Sequence, residues 1–134
     1  MSRLIYPKLS YDVMNVLYTV HNKLGSGLLE KHYQRAIEIE LDYRKLNFER
    51  EKLVRLLYQE VSIGKYFLDF VIDQKIVLEI KSTPIFEQKS MNQAYSYLRQ
   101  LSLPLAIVAN FHSANLRYKR IVNPEFKDKD LSAY

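Results

Sequence analysis

The chain has 134 residues, of which 48% are hydrophobic and 26% charged, and this composition is typical of a single globular domain with a buried core. With 20 Lys and Arg against 15 Asp and Glu the formal net charge is +5, which favours a polyanionic partner without requiring one. The absence of cysteine excludes disulfides and thiolate metal sites. We see no signal-peptide pattern and no apolar run long enough for a membrane helix, so we expect a soluble, cytoplasmic protein without a membrane partner.

Two helices are predicted before the first strand. Ser10 is expected to cap a helix that extends to about Leu24, because apolar residues recur there at helical spacing, and Gly25 is its expected end. The second helix is expected to open near residues 26–27 and to run through Leu46, since no proline interrupts it.

The rest of the chain predicts a sheet with one crossover helix. The segments, in chain order, are strands at 48–59, 64–72 and 76–81, a helix at 87–101, and strands at 105–109 and 116–122. A strand, a helix and a wholly apolar strand in succession predict a right-handed parallel crossover. Residues 125–134 are charged and weakly patterned, and we expect them to be weakly ordered, with a short terminal helix as the alternative. The chain is therefore predicted to be a single α/β domain at 1–134, in which helices flank a central mixed sheet in the order ααβββαββ.

The most informative motif is Asp69 followed by Glu79 and Lys81 on the next predicted strand. Period-2 geometry places Phe67, Asp69 and Val71 on one face of the first strand, and a three-residue turn at 73–75 would set Asp69 opposite Glu79. Opposed like charges destabilise a sheet, and a hard divalent cation between them would reverse that effect. The alternative is a polar pair at the rim of the sheet in which basic neighbours neutralise each carboxylate.

Lys81 lies about 7 Å beyond Glu79 along the same strand face. Its ammonium group could contact an attacking water or a transition-state phosphate while Glu79 holds the cation. A solvated lysine at the end of a strand is the alternative.

Further candidate residues come from the predicted helices. Glu30 shares an inward helical stripe with Tyr33, which points to a buried partner, although a first-turn Glu that complements the helix dipole is the alternative. Gln93 and Tyr97 are four residues apart on the third helix, where the amide could orient a water or phosphate oxygen and the phenol could fix the amide. The alternative for this pair is a surface amide beside a packed tyrosine.

Basic residues occur on several predicted elements. They could form a surface that follows a phosphate backbone, or they could be ordinary solvated faces. These residues are Lys31, Arg35, Lys52, Arg55, Arg117, Lys119 and Arg120.

Taken together, the motifs resemble a known family. Residues 27–33 read Gly-Leu-Leu-Glu-Lys-His-Tyr, a full GxxExxY signature, and Asp69, the 79–81 triplet and the 93–97 segment follow in order. The chain is similar to the GxxExxY proteins along nearly its whole length, and these are related to the PD-(D/E)XK nuclease superfamily. The resemblance implies a restriction-endonuclease-like core. The chain departs from the superfamily's motif at Leu68, which replaces proline, and from much of the GxxExxY family at Phe67, where arginine is expected.

The resemblance also implies roles for individual residues. Asp69 and Glu79 would be ligands of Mg²⁺, with Mn²⁺ as a substitute, and Lys81 would place or activate a water molecule. The recombination-exonuclease (RecB-like) branch adds a helical Glu and a QxxxY pair, which correspond here to Glu30 as a further metal ligand and to Gln93 with Tyr97.

Three hypotheses about function follow. The first is a Mg²⁺-dependent nuclease that hydrolyses phosphodiester bonds, with DNA as the expected substrate. The second is a nucleic-acid-binding module whose site has lost turnover. The third is a protein-interaction subunit, such as a homodimer, in which the tyrosine-rich surface forms the interface.

Overall fold

The structure, a computed structural model, describes residues 5–126. The elements are α1 (Pro7–Leu24), α2 (Glu30–Tyr43), β1 (Phe48–Tyr58), β2 (Val61–Ile72), β3 (Ile76–Lys81), α3 (Gln88–Leu101), β4 (Leu105–Asn110) and β5 (Arg117–Val122). The predicted order ααβββαββ is confirmed. Most of the tail that was predicted to be weakly ordered, from residue 127 onward, lies outside the described residues. None of the helices within 5–126 is long and apolar enough to cross a membrane.

The five strands form one mixed sheet in chain order, β1-β2-β3-β4-β5. Strands β3 and β4 are parallel, and the other neighbouring pairs are antiparallel. The predicted parallel crossover is therefore confirmed, with α3 as the connecting helix. Ile72 pairs with Ile76, so the turn between β2 and β3 contains the three predicted residues 73–75.

Two hydrophobic clusters cover the two faces of the sheet. Helices α1 and α2 pack in the first cluster with Leu78 and Ile80, whereas α3 packs in the second with Val77. Alternate residues of β3 therefore serve opposite layers, which explains why β3 and β4 are apolar nearly throughout. Each large aliphatic side chain buried in this way contributes about 1.5–3 kcal/mol to folding.

The first helix begins earlier than the sequence predicts. It starts at Pro7, where the ring fixes a helical φ and no amide hydrogen is left unpaired, and Tyr6 is the N-cap. Ser10 is therefore not the cap. Its buried hydroxyl donates to the Ile5 carbonyl oxygen at 3.0 Å.

The second helix is shorter than predicted at both ends. It begins at Glu30 because Gly27, with φ 101°, is outside the helical region. It ends at Tyr43 because Lys45 takes a left-handed φ of 61° and the Leu46 amide donates back to the Leu41 carbonyl oxygen at 3.0 Å. That reversed bond is the usual way in which a left-handed residue ends a helix.

Strand β2 begins three residues before the predicted start at Gly64. Gln59 and Glu60 both have positive φ, which gives a tight two-residue turn that carries the hairpin out to Tyr58 and Val61. The register then shifts between Leu56 and Leu57, and this irregularity hides the alternation that a strand normally shows in its sequence.

Candidate active site

Asp69 and Glu79 meet where β2 and β3 separate. The paired residues end at Phe70 with Leu78, and the same register, one step further, sets Asp69 against Glu79. At this step hydrogen bonds from backbone amides to the two carboxylate side chains replace the backbone-to-backbone hydrogen bonds between the strands. The Asp69 amide donates to Glu79 Oε2 at 3.3 Å, and the Ile80 amide donates to Asp69 Oδ2 at 2.7 Å. Each carboxylate is thus held by the backbone of the opposite strand.

A change of strand phase positions Asp69. Leu68 belongs to the cluster around α3, whereas Phe70, two residues later, belongs to the cluster around α1 and α2. Regular alternation would put both on one face. The partners of Phe70 and Leu68 on β1 are Arg50 and Lys52. Glu51, which lies between these partners, has a positive φ of 54°, so the backbone of β1 is also irregular at this step. Since Val71 packs in the α3 cluster together with Leu68, the expectation that Phe67, Asp69 and Val71 share one face is wrong.

The electrostatics of the pair are unfavourable without a cation. Glu79 is only 4% exposed, and its Oε1 atom has no hydrogen-bond partner among the described residues. Burial raises the pKa of Glu79 well above its usual range, and the charge of Asp69 raises it further. Burial also raises the pKa of Asp69, while hydrogen bonds from its neighbours and the charge of Lys81 oppose that rise. A buried carboxylate, Glu79, therefore faces the half-buried carboxylate of Asp69, and one oxygen atom of Glu79 is unsatisfied.

Lys81 supplies positive charge at the end of β3. It is half-buried, and its charge lowers the pKa of both Asp69 and Glu79. The backbone at this position is fixed because the Phe111 amide donates to the Lys81 carbonyl oxygen at 2.9 Å. The alternative of a fully solvated lysine does not describe this environment.

Glu30 reaches the same edge of the sheet from the start of α2. Its Oε2 atom accepts a hydrogen bond from the Ser82 amide at 3.1 Å, directly after β3. The Ser82 hydroxyl donates in turn to the Leu28 carbonyl oxygen at 3.2 Å. These bonds join the loop before α2 to the end of the strand that bears Glu79 and Lys81.

Tyr33 holds that loop from inside the protein. It is fully buried, and its ring stacks on Phe111 with centroids 4.6 Å apart. Its hydroxyl donates to the Gly25 carbonyl oxygen at 2.6 Å and accepts from the Leu28 amide at 3.2 Å. The Glu and Tyr of the 27–33 motif therefore act together to close the α1–α2 loop onto the end of β3.

Asn110 fixes the loop on the other side of Ser82. The side chain is 1% exposed and lies at the end of β4. Its oxygen accepts from the amides of Thr83 and His112, and its amide group donates to the Thr83 carbonyl oxygen at 3.0 Å. Asn110 is not among the site residues predicted from the sequence, although its place at the end of a buried strand is a typical signal for a site residue.

Helix α3 contributes an aromatic pair instead of the expected amide–phenol pair. Tyr97 is 6% exposed and stacks on Tyr66 of β2, with centroids 4.3 Å apart and ring planes 18° apart. Within residues 5–126 no hydrogen bond joins Tyr97 to Gln93, whose side chain is partly exposed on the same helix. Burial and the charge of Glu79 raise the pKa of both tyrosines, so both remain protonated donors.

Tyr66 is a site residue that the sequence analysis missed. Among the charges that raise its pKa are Glu79, Asp69 and Glu30, so all three predicted acidic residues lie within electrostatic reach of it. The only signal in the sequence is the position of Tyr66, three residues before Asp69. Because the alternation of β2 changes phase between these residues, the sequence does not predict that the Tyr66 side chain lies on the same side of the sheet as the site.

Comparison with known proteins agrees with this geometry. The sequence pattern of the PD-(D/E)XK nuclease superfamily matches residues 7–121. The chain belongs to this superfamily. No curated protein matches the chain at a significant level.

The fold of this superfamily member also occurs in a solved structure. The crystal structure of SSO0001 superposes with a TM-score of 0.56 at 20% sequence identity, and the match covers 70% of this chain. The chain spans about half of that protein, since the match covers 50% of it. At this identity the likeness concerns the fold.

The donor groups of the site suit a hard divalent cation. Nucleases of the superfamily typically use divalent metals, and carboxylate oxygens are the ligands that Mg²⁺ prefers. The unpartnered Oε1 of buried Glu79, next to Asp69, is a donor atom that a cation would satisfy. Within residues 5–126, however, no three acidic or histidine side chains lie close enough together to hold a metal ion as one set. The structure therefore brings Asp69 and Glu79 together, whereas the Glu30 carboxylate accepts a hydrogen bond from the Ser82 amide and does not join them.

Proposed function

We propose that this protein is a metal-dependent nuclease that hydrolyses phosphodiester bonds of nucleic acid, with DNA as the preferred substrate. The observation that carries the proposal is the facing pair of half-buried Asp69 and buried Glu79, whose Oε1 atom has no hydrogen-bond partner among the described residues. Asp69 and Glu79 are the proposed ligands of Mg²⁺, which Mn²⁺ can replace. Glu30 is proposed as an outer ligand, since one of its oxygen atoms already accepts the Ser82 amide.

The side chains around the pair divide the chemical work. Asp69 and Glu79 would hold a divalent cation, which would polarise the scissile phosphate and lower the pKa of an attacking water. Lys81 stabilises negative charge that develops on the phosphate or positions that water. Gln93, at the partly exposed face of α3, orients the water or a phosphate oxygen. Tyr97 supports this face through its stack on Tyr66.

The residues also support a finer classification. The complete GxxExxY signature, with Glu30 and Tyr33 bonded around one loop, supports membership of the GxxExxY proteins. Glu30 before the sheet, and Gln93 with Tyr97 after it, support the recombination-exonuclease branch.

Calorimetric titration of the metal-free protein with Mg²⁺ and Mn²⁺ tests the metal site without a substrate. We expect wild type to bind either ion and Glu79→Ala to lose binding by more than tenfold. Asp42→Ala, a change at an exposed residue of α2, is the matched control and should bind as wild type does. Equal binding by Glu79→Ala and wild type would contradict the proposed ligands.

Cleavage assays then test the reaction. Single- and double-stranded DNA and RNA are incubated with wild type, Asp69→Asn and Asp42→Asn in Mg²⁺, in Mn²⁺ and in a chelator. The proposal expects cleavage by wild type and Asp42→Asn only with a metal ion, and a loss of at least a hundredfold in Asp69→Asn. Cleavage by purified Asp69→Asn at the wild-type rate would refute it.

One observation favours a second function, a nucleic-acid-binding module without turnover. The described residues offer only two carboxylates as direct ligands, because Glu30 is bonded to Ser82. This function predicts nucleic-acid binding that weakens steeply with salt, and no product with any divalent ion.

A further inference from the structure

The hairpin of β1 and β2 extends well beyond the rest of the sheet. Strands β1 and β2 contain 11 and 12 residues, whereas β3 contains 6. Strand β3 pairs only with residues 70–72 of β2, so residues 61–68 of β2 have β1 as their one strand neighbour within the described chain. The hairpin arm, defined here as residues 53–67, therefore projects from the edge at which Asp69 lies.

The two faces of the hairpin arm differ. Val54 and Tyr66, which pair across the strands, pack in the α3 cluster. The alternate residues face away from α3, and among them Phe67 is 51% exposed although it lies next to Tyr66 in sequence. Near the tip, Leu57 and Ile63 are 50% and 69% exposed. The outer face thus presents an aromatic ring to solvent, and aliphatic side chains are exposed near the tip of the hairpin arm.

Two cations stand in the middle of this outer face. Arg55 and Lys65 are directly opposed across the strands, and both are exposed. Neither forms an ion pair with an acidic group of residues 5–126, in contrast to Lys52 on the same strand, which bonds to Glu49 at 2.8 Å. Opposed like charges destabilise an antiparallel pair, so an anion bound between them would relieve the repulsion.

The outer face begins two residues before Asp69 on the same strand, on the side of the sheet that faces away from α3. Tyr66 and Tyr97, which lie close to the charge of Glu79, are on the α3 side. Phe67 and Lys65 precede Asp69 by two and four residues, which places them roughly 7 and 13 Å from it along the strand. The Lys65 ammonium lies 5.9 Å from the centroid of the Phe67 ring, so cation and ring form one composite surface.

We propose that the outer face of the hairpin arm binds a single strand of nucleic acid that continues from the active site around the edge at which β2 and β3 separate. Arg55 and Lys65 contact phosphates, and the exposed Phe67 ring stacks on an unpaired base. The proposal rests on the proposed function, because it assigns to that site the form of its substrate. A basic surface with an exposed aromatic ring is the arrangement that binds single strands without sequence preference.

A duplex fits this surface less well. Its bases are already stacked, so an exposed phenylalanine and its aliphatic neighbours gain little there. A second copy of the chain is also disfavoured, because pairing this face with itself would bring four unpaired cations together. An anionic ligand with exposed ring faces satisfies both components of the surface.

The experiment measures binding of fluorescent oligo-dT, oligo-U and a DNA duplex in a chelator, where no cleavage occurs. The proteins are wild type, Arg55→Gln/Lys65→Gln, Phe67→Ala, and the charge-matched control Lys23→Gln/Lys45→Gln, whose lysines are exposed on or just after the α1–α2 layer. Sedimentation of each protein and its thermal unfolding are recorded in the same buffer.

We expect wild type to bind at least one single strand more tightly than the duplex. The Arg55/Lys65 variant should bind single strands at least tenfold more weakly, with a slope of log K against log salt that is shallower by about 1.4, the value for two phosphates of a single strand. Phe67→Ala should lose about tenfold. Comparison of oligo-dT with oligo-U distinguishes a DNA strand from an RNA strand.

Thermal unfolding separates binding from structure. Because the Arg55/Lys65 variant removes a like-charge repulsion, it should unfold at the wild-type temperature or slightly above it, and the lysine control should match wild type in binding. The proposal is overturned if both hairpin variants bind as the control does, if wild type prefers the duplex, or if sedimentation shows a wild-type dimer that Phe67→Ala dissociates.

The outcome is independent of the cleavage assay. Hairpin-dependent binding without cleavage under any divalent ion would refute the proposed nuclease and leave this inference standing. Metal-dependent cleavage by wild type, together with unchanged binding in the hairpin variants, would support the proposed nuclease and refute this inference.

Discussion

At the scale of single residues, the protein accepts an unfavourable local arrangement at Glu79. A carboxylate that is 4% exposed, with one unpartnered oxygen and Asp69 beside it, destabilises the metal-free fold. Backbone amides of the opposite strand keep the two carboxylates in place at 3.3 and 2.7 Å. Such an exception to ordinary core chemistry is typical of a functional site.

Glu79→Gln should stabilise the metal-free protein. The amide removes the buried charge, and its NH₂ group can donate to Asp69, while its oxygen can still accept from the Asp69 amide. We expect unfolding in a chelator at a temperature several degrees higher, which corresponds to about 1 kcal/mol. Differential scanning calorimetry measures this shift.

The same variant should lose the response to metal. Wild type should gain stability on addition of Mg²⁺ or Mn²⁺ because the ion binds the folded state, whereas Glu79→Gln should not. A lower unfolding temperature for Glu79→Gln in chelator would show that Glu79 is a stabilising structural residue.

Among the site residues, the sequence predicted those whose positions follow from their spacing along the chain. The length of the three-residue turn predicted that Asp69 faces Glu79, because the register of a hairpin follows from its turn. The period of the strand, by contrast, wrongly placed Asp69 on one face with Phe67 and Val71. Tyr66 and Asn110 were not predicted, since their places depend on the phase change at Asp69 and on the loop after β3. The structure also bonds Glu30 to Ser82, a contact between residues 52 positions apart in sequence.

At the scale of elements, the segment between α1 and α2 acts as a rigid connector. Gly27 has a φ of 101°, a region that side chains rarely adopt, and Tyr33 and Glu30 bond the connector to the core and to β3. The sequence predicted the motif but placed it inside a helix, because periodicity alone does not reveal a glycine with positive φ.

Gly27→Ala tests this connector. A Cβ at Gly27 meets no atom within 4 Å, so the change should act through the backbone alone and lower the free energy of unfolding by about 1–2 kcal/mol. Gly64→Ala is the matched control. Its φ is not in the positive region, and its Cβ would lie 3.8 Å from a Leu56 methyl group, an ordinary contact. Chemical denaturation should show Gly64→Ala equal to or slightly more stable than wild type, and a loss in both variants would contradict the backbone explanation.

A charged cluster ties α2 to β1. Glu38 Oε1 accepts hydrogen bonds from Arg35 and, at 3.1 Å, from Arg50 on β1. The hydrogen bond from Arg35 is the main cause that lowers the pKa of Glu38 below its usual value, and Arg50 adds to it. The stabilisation is therefore present above the pKa of the unfolded chain and is lost as pH falls through the lowered pKa of the folded protein.

Glu38→Gln should reveal this dependence. Because the groups are partly exposed, we expect a loss of only about 0.5–1 kcal/mol at neutral pH, or a few degrees in unfolding temperature. The difference between variant and wild type should begin to shrink as the pH falls below about 4, where the unfolded chain takes up the proton, and should vanish once the pH falls through the lowered pKa of Glu38 in the folded protein. A difference that stays constant from pH 7 to pH 3 would exclude the electrostatic explanation.

At the scale of the whole molecule, one sheet supports two helical layers. Leu78 and Val77 are adjacent in β3 but belong to different clusters. The two layers therefore share this strand, and the loss of either layer would expose one face of a strand whose other face is still packed. We therefore expect residues 5–126 to unfold cooperatively.

Ile107→Ala tests this expectation. The side chain is fully buried in the first cluster, so its loss should cost about 2–5 kcal/mol. Far-ultraviolet circular dichroism and tyrosine fluorescence should report one coincident transition, shifted to lower temperature. Ile39→Ala, a change at a residue that is 52% exposed on α2, should alter stability by less than about 0.5 kcal/mol. Separate transitions for the two probes would contradict a shared core.

The sequence by itself determined the class of fold, the order of elements and the facing pair Asp69 and Glu79. These depend on local periodicity, turn length and the need to bury apolar strands, all of which act over a few residues. The tertiary structure alone decided which groups surround that pair: the bond of Glu30 to Ser82, the stack of Tyr66 on Tyr97 and the projecting cationic hairpin arm. These depend on helix ends, a phase change and contacts between distant segments, and such features arise only when separate elements compete for the same space and the same hydrogen-bond partners.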